Sequence, residues 1–167
     1  PKSKNEFAVK ILAIPSSLKN SKNNAQFELK KKLAENDCFV STSLKHQNII
    51  QTYSAYNLQE NDGYAIVMQK ANGTLLGITS NFYSNKIMCT LNTQNKYWSN
   101  INENMARFFC RQILDGMFYM NTLGFVHFDL KPENVLLCNN SLKISDFTLS
   151  RCFSDKERRG GSFTFSG

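Results

Sequence analysis

The chain has 167 residues, of which 41% are hydrophobic and 20% charged, with a formal net charge of +7. This composition is typical of a globular protein. It contains no apolar run long enough to span a membrane and no basic cluster interleaved with aromatic residues, as a nucleic-acid interface requires. We therefore expect no membrane partner and no nucleic-acid partner.

The cysteine pattern favours a reducing compartment. The number of cysteines is odd and no C-x-x-C spacing occurs, so neither a disulfide framework nor a zinc site is predicted. An intracellular location, cytoplasmic or nuclear, follows from this. The chain also begins inside an apparent structured element and ends on Gly167 without a closing one, so we expect an internal piece of a longer protein.

The first predicted element is a strand over residues 7–14, in which Lys10 interrupts an apolar run. Taken alone, such a lysine is typical of an edge strand whose ammonium reaches solvent. A polar, turn-rich loop is predicted to follow over residues 15–23.

A helix is predicted over residues 24–45 from the near-helical spacing of its apolar residues. The residues that mark its apolar face are Leu29, Leu33, Val40 and Leu44. Asp37 falls on that same face, whereas Glu35, roughly 200° away around the helix, points outward. Asp37 is thus either a helix acid near solvent or a partner for a buried cation, and both alternatives stay open.

Two strands are predicted over 49–56 and 64–68, joined by a turn. The polar stretch 74–100 suggests a short helix plus a variable surface excursion and supports no functional prediction. A long helix with a core stripe should then begin after Asn102, a plausible N-cap, and end at Gly124.

The segment 126–137 reads VHFDLKPENVLL and places an acid, a cation and an amide within a few positions, between apolar runs. A polar loop held by short buried strands fits this pattern, and active sites are often built so. Asp129 could accept a proton from a hydroxyl, Lys131 could neutralise a phosphoryl group, and the Asn134 oxygen is a suitable Mg²⁺ ligand. The combination points to phosphate transfer.

A second unit over 142–151, LKISDFTLSR, adds the carboxylate of Asp146 at the end of a strand-like run. Together the two units resemble the catalytic segment of the eukaryotic protein kinases, with its H-R-D-L-x-x-x-N loop and D-F-G unit. The match comprises His127, Phe128, Asp129, Leu130, Lys131, Pro132, Glu133, Asn134, Asp146 and Phe147.

The resemblance implies an ATP-dependent serine/threonine kinase that uses Mg²⁺ and a protein substrate. Asp129 would orient and deprotonate the substrate hydroxyl, and Lys131 would stabilise the γ-phosphoryl group. Asn134 and Asp146 would hold Mg²⁺. The K-P-E-N segment favours the serine/threonine class, and His127 is expected to pack the loop and not to act as a base.

The resemblance also assigns residues outside the loop. Lys10 looks like the third-strand lysine that grips the ATP phosphates. Counting back from the segment that begins at His46 makes Asp37 its acidic partner, where kinases carry the longer glutamate. Met68 would be the gatekeeper, and the backbone around Gln69 to Ala71 would bind adenine.

The fold implied by the resemblance is α+β, a two-lobed protein-kinase-like fold that is incomplete. Residues 1–70 would form part of the N-lobe, and residues 71–167 the hinge and part of the C-lobe. The last residues would form an activation loop, in which Thr164 is the expected phosphosite and Ser162 and Ser166 are competitors. This piece alone is expected to be inactive and marginally folded.

Three departures from the family pattern leave an alternative open. Phe128 replaces an arginine that normally pairs with the loop phosphate, Thr148 replaces the D-F-G glycine, and Asp37 replaces the glutamate. These changes fit a pseudokinase, a nucleotide-binding or scaffold module without turnover. The retained charged residues favour the enzyme, and the intact K-P-E-N segment argues against a small-molecule kinase. Oligomeric state and substrate sequence are not predictable from the chain.

Overall fold

A computed structural model describes residues 6–19, 24–58, 63–83 and 102–153. The first part is an antiparallel sheet in the order β1-β3-β2. Its strands are β1 (Phe7–Ala13), β2 (Thr52–Leu58) and β3 (Gly63–Gln69). Exposed and half-buried residues alternate along β1, so one face of the strand is covered and the other is open. Lys10 lies on the half-buried face.

Helix α1 (Asn24–Ser43) packs against this sheet, as the helical spacing predicted. Val40 and Leu44 are buried, but Leu29 is 58% exposed, so its place on the apolar face was wrongly predicted. Phe27 is buried instead and packs in a cluster with Ile14, Ala34 and Tyr64. Glu35 is exposed as predicted, and its carboxylate accepts a hydrogen bond from the Tyr64 hydroxyl at 2.7 Å.

The segment between α1 and β2 ties the sheet to the rest of the molecule. Ile49 and Ile50 were predicted as the start of a strand, but they form a buried connection before β2. The Ile50 N–H donates to the Ile144 carbonyl at 2.9 Å, and the Ile144 N–H donates to the Asn48 carbonyl at 2.9 Å. The competing pairing explains why β2 begins at Thr52.

The second part is built on helices α2 (Leu75–Tyr83) and α3 (Glu103–Thr122). Asn102 caps α3, because its side chain accepts from the Met105 N–H, and Gly124 follows the helix with a φ of 84°. Of the predicted core stripe, Phe108 is exposed while its neighbour Phe109 is buried. The described helices include none long and apolar enough to cross a bilayer.

Five short strands complete this part. They are β4 (Gly73–Thr74), β5 (Phe125–Val126), β6 (Val135–Cys138), β7 (Ser141–Ile144) and β8 (Arg151–Cys152). Strands β4, β6 and β7 form one antiparallel sheet, and β5 pairs with β8. The β5–β8 pair was not predicted. It matters because it closes two polar segments, between β5 and β6 and between β7 and β8, against each other.

The main core lies between the two parts. Val40, Ile49 and Phe147 are buried there with Met120 and Phe125. The predicted α+β class, an incomplete two-lobed fold, is confirmed by these elements. The polar segments that carry the predicted site residues rest directly on this core.

Candidate functional site

The structure brings together three charged side chains that are far apart in the chain. The Lys10 ammonium lies 2.6 Å from Asp37 Oδ2 and 2.8 Å from Asp146 Oδ1. Lys10 comes from β1, Asp37 from the face of α1 that covers the sheet, and Asp146 from the segment after β7. Strand, helix and loop therefore meet at one ammonium group.

Asp37 is only 1% exposed, so its carboxylate depends on internal donors. Oδ1 accepts from the Ser41 hydroxyl at 3.1 Å and from the Phe147 N–H at 3.2 Å. Oδ2 lies 3.0 Å from the Thr148 hydroxyl, in addition to Lys10. The alternative of a helix acid near solvent does not fit this burial.

The charges in this cluster stabilise one another. Burial would lower the pKa of the Lys10 ammonium, but the charge of Asp37 and hydrogen bonds to both carboxylates raise it above its ordinary value. Burial would raise the pKa of Asp146, yet hydrogen bonds from Lys10 and Thr148 hold it below its usual range. Lys10 is thus cationic and Asp146 anionic at neutral pH.

The segment between β5 and β6 gathers its own three polar side chains. Lys131 Nζ lies 2.7 Å from Asp129 Oδ2. The Asn134 amide nitrogen donates to the Asp129 carbonyl at 2.8 Å and to Oδ2 at 3.0 Å. The hydrogen bond from Lys131 is the main reason that the pKa of Asp129 lies below its usual value. The carboxylate is therefore ionised and can accept a hydrogen bond from a hydroxyl group.

His127 fastens this segment to the one that carries Asp146. Its Nδ1 accepts the Asp129 N–H at 3.2 Å, and its Nε2 lies 3.0 Å from the Ser145 carbonyl. The Asn134 carbonyl in turn accepts from the Ser145 N–H at 2.8 Å and from the Ser145 hydroxyl at 3.0 Å. His127 is 4% exposed and is committed to these bonds, which matches the packing role expected from the sequence.

The residues present fit a Mg²⁺ site shared with a phosphate ligand. Both side-chain hydrogen bonds of Asn134 among the described residues use its amide nitrogen, so its oxygen remains available. Ser145, bonded to Asn134, immediately precedes Asp146 and its carboxylate. The described residues contain no group of three or more His, Cys, Asp or Glu that could hold a metal ion by themselves. Mg²⁺ usually binds through one or two protein oxygens plus phosphates and water.

The predicted adenine contacts lie at the end of β3, which includes Met68 and Gln69, and just after it, at Ala71. Met68 is half-buried and packs against the main core. The Gln69 N–H donates to the Gln51 carbonyl at 2.8 Å and is not available to a ligand. The Ala71 N–H makes no hydrogen bond with any described residue. Thr164 and its competitors lie outside the described residues.

Two contributors to the site, Asn36 and Ser41, were missed from the sequence, and the contact of a third, Thr148, with the site's acids was not foreseen. Asn36 donates to the carbonyls of Phe147, Thr148 and Ser150, at 3.2, 3.1 and 2.8 Å. Ser41 and the Thr148 hydroxyl both reach Asp37. The spacing of Asp37 and Ser41, one helical turn apart, was a usable signal for Ser41. No signal in the sequence identified Asn36.

Comparisons with known proteins agree with this arrangement. The family model for the protein kinase domain matches residues 2–166. The probable serine/threonine-protein kinase fhkC of Dictyostelium discoideum is 31% identical over 154 residues, 90% of this chain and 22% of that protein. The serine/threonine-protein kinase chk1 of Schizosaccharomyces pombe is 47% identical over 57 residues, 34% of this chain and 12% of that protein.

Myosin light chain kinase 3 of Danio rerio is 31% identical over 129 residues, 74% of this chain and 16% of that protein. The chain spans about a fifth of the length of the first two curated relatives that it matches. The matched domain covers nearly the whole chain, and Lys10, Asp37 and Asp146, three of the residues that the resemblance singled out, are in contact. This chain therefore belongs to the protein kinase family.

Proposed function

We propose that this chain is part of an ATP-dependent serine/threonine protein kinase, which transfers the ATP γ-phosphate to a serine or threonine hydroxyl of a protein. The observation that carries the proposal is the contact of Lys10 with both Asp37 and Asp146. These two acids lie 27 and 136 residues after Lys10 in the chain. Lys10 lies in the middle of β1, and an ammonium positioned there by carboxylates from a helix and a loop suits the binding of a nucleotide phosphate.

Each residue of the site has a defined task in this reaction. The Asp129 carboxylate accepts a hydrogen bond from the substrate hydroxyl, orients it and takes its proton. The Lys131 ammonium, whose pKa is raised by the hydrogen bond to Asp129, neutralises charge on the phosphoryl oxygens. The Lys10 ammonium positions the nucleotide phosphates. Asp146 and the Asn134 oxygen would hold Mg²⁺, which when bound supplies further charge neutralisation.

The alternative is a pseudokinase, a nucleotide-binding or scaffold module without turnover. The observation that favours it is the left-handed backbone of Phe128, with a φ of 63°, at a position where the family pattern has arginine. A second is that Thr148 and Lys10 both engage Asp146 Oδ1. Neither feature alters the side chain of Asp129 or of Lys131, which would carry out the transfer, and for this reason we favour the enzyme.

The test is transfer of radiolabelled phosphate from ATP to a generic serine/threonine peptide by the natural polypeptide that contains this chain. We expect Mg²⁺-dependent transfer, and about a 100-fold or greater loss in Asp129→Asn. Asp115→Asn, a matched change at an exposed acid of α3, should keep the rate. ATP binding without transfer, unaltered by Asp129→Asn, would instead establish the pseudokinase.

The cysteines support a proposed reducing compartment such as the cytoplasm. All four described cysteines, Cys38, Cys110, Cys138 and Cys152, are free thiols. Disulfides persist mainly in oxidising compartments, where unpaired cysteines are unusual.

A further inference from the structure

We propose that Thr148 is a positioning residue of this site, and that Thr148 and Asp37 compensate for each other as one coupled pair. The effect of this pair on catalysis rests on the function proposed above, whereas its effect on the local structure does not. The family pattern has glutamate and glycine at these two positions, and this chain has aspartate and threonine.

The Thr148 hydroxyl sits between the two carboxylates of the site. Its oxygen lies 3.0 Å from Asp37 Oδ2 and 2.7 Å from Asp146 Oδ1. The Lys10 ammonium is 3.5 Å away and contacts the same two carboxylate oxygens. The carboxylates of Asp37 and Asp146 carry like charges and repel each other. The hydroxyl has a single hydrogen, so it donates to one of the two carboxylates at a time, whereas the ammonium donates to both. Thr148 thus adds one shared donor to the bridge that Lys10 makes.

The side-chain lengths explain why the two replacements belong together. Aspartate is one methylene shorter than glutamate, so its carboxylate stays closer to α1. Glycine offers no side chain, whereas threonine places a hydroxyl at Asp37 Oδ2. Because Asp37 is 1% exposed, water does not replace a donor that is lost there. The Thr148 hydroxyl thus supplies a hydrogen-bond donor to the shorter side chain of Asp37.

Asn36 holds the backbone that presents this hydroxyl. Its amide nitrogen lies within hydrogen-bond distance of the carbonyls of Phe147, Thr148 and Ser150, the shortest contact being 2.8 Å to Ser150. The amide has two hydrogens, so these three acceptors share them. Asn36 and Asp37 are adjacent on α1, and the helix therefore contacts the segment after Asp146 in two ways. Asn36 binds the backbone carbonyls of that segment, and Asp37 binds its Thr148 side chain.

A simpler explanation is that Thr148 only fills space beside the backbone. Two variants separate the explanations. Thr148→Val keeps the branched shape and removes the hydroxyl, whereas Thr148→Ser keeps the hydroxyl and removes the methyl group. A positioning role predicts that Ser supports the site better than Val, and a space-filling role predicts the reverse order.

The decisive experiment is a double-mutant cycle with Thr148→Gly and Asp37→Glu in the natural polypeptide. We expect each single variant to lower kcat/KM for ATP about tenfold, and the double variant to recover to within about threefold of the wild type. Thr148→Val should resemble Thr148→Gly, with the KM for the peptide unchanged. Thr42→Val, an exposed α1 threonine whose hydroxyl bonds only its own helix, is the matched control.

A readout independent of turnover is hydrogen exchange at the Phe147 amide, whose N–H donates to Asp37 Oδ1. Exchange should accelerate about tenfold in Thr148→Val and return in the double variant. If the wild type transfers no phosphate, the proposed kinase function fails, and this exchange cycle still decides the coupling. Losses that simply add in both readouts, or a valine variant that exchanges and reacts like the wild type, would overturn the proposal.

Discussion

The Arg151 guanidinium lies over the ring of Phe128, 5.5 Å from the ring centroid. Phe153 packs against the same ring, with the two centroids 6.0 Å apart. Arg151 belongs to β8, which pairs with β5, and Phe128 opens the segment that carries Asp129. The cation–aromatic contact therefore joins the two polar segments of the site.

Replacing Phe128 with leucine should loosen this junction. The change removes the aromatic face beneath Arg151, and the expected loss of stability is at most about 1 kcal/mol because the contact is exposed. Hydrogen exchange at the Phe153 amide, whose N–H donates to the Gly124 carbonyl at 2.8 Å, should become faster. The matched control is Phe118→Leu, a ring that is 72% exposed on α3, which should alter neither measurement. Equal exchange in the wild type and Phe128→Leu would contradict the expectation.

The same contact leads to a prediction about phosphorylation. The family's arginine at this position pairs with a phosphate on the activation loop, but here Phe128 occupies it and Arg151 faces the ring. Thr164→Ala should accordingly keep most of the phosphate-transfer rate of the natural polypeptide. The comparison is Asp129→Ala, measured in the same assay. A loss from Thr164→Ala as large as that from Asp129→Ala would show that phosphorylation is the main switch.

Gly116 permits a close approach between α3 and the connection before β2. A Cβ at this position would lie 2.9 Å from the Asn48 carbonyl oxygen and 3.0 Å from Ile144 Cδ1. Gly116→Ala should destabilise the domain by about 1–3 kcal/mol, although alanine alone favours helix by about 1 kcal/mol.

Gly77→Ala on α2 is the matched control for Gly116→Ala. Among the described residues the nearest atom, Thr74 Oγ1, would be 3.4 Å from the new Cβ, an ordinary contact. This variant should be neutral or slightly stabilising in thermal unfolding. Equal unfolding midpoints for the two variants would mean that α3 can move away from Asn48 at little cost.

The helices α1 and α3 were predictable because each has a covered face that leaves a helical repeat in the sequence, and β1 and β3 were predictable as short apolar runs. The burial of single residues was less predictable. Leu29 and Phe108 have the right spacing for a core, yet the neighbouring elements cover Phe27 and Phe109 instead. Which of two adjacent apolar residues is covered depends on the packing partner, and that is a tertiary property.

The candidate site divides in the same way. Lys10, Asp37 and Asp146 were singled out because the resemblance to the kinase pattern assigns them, and Lys10 also interrupts an apolar run. Asn36 was not, because an asparagine on a half-exposed helix position is common and its acceptors are backbone carbonyls more than a hundred residues away. The β5–β8 pair was missed because each strand has only two residues.

The protonation of His127 should make stability depend on pH. Burial lowers the pKa of this ring, whereas in the unfolded chain it titrates near the ordinary histidine pKa of about 6.5. Below that pH the unfolded chain binds the proton more readily than the folded one, so stability present above pH 6.5 is lost as the pH falls. The ring's contacts agree, because Nδ1 accepts the Asp129 N–H and must be unprotonated.

Urea unfolding between pH 5 and 8 would measure this effect. In His127→Gln the part of the pH dependence that comes from this ring should disappear, so the curve becomes flatter near pH 6. His46→Gln, which keeps His127, should retain the slope of the wild type. An unchanged slope in His127→Gln would show that the ring does not control acid stability.

Lys10→Met is expected to cost both stability and nucleotide binding. The substitution leaves Asp37, 1% exposed, without its cation, and removing one partner of a buried ion pair is strongly destabilising. We expect a loss of about 2 kcal/mol, below the usual range for fully buried pairs, because the Lys10 side chain is 29% exposed and Asp37 keeps three other donors.

Lys70→Met is the matched control for Lys10→Met. The Lys70 ammonium pairs with Glu6 at 2.8 Å on the open surface, where solvent screens the interaction, so its unfolding midpoint should not change measurably. Thermal unfolding with and without ATP and Mg²⁺ gives both readouts. The wild type and Lys70→Met should be stabilised by the nucleotide, and Lys10→Met should not. Equal stabilisation of all three proteins would mean that the Lys10 ammonium holds Asp37 and Asp146 together without contacting the nucleotide.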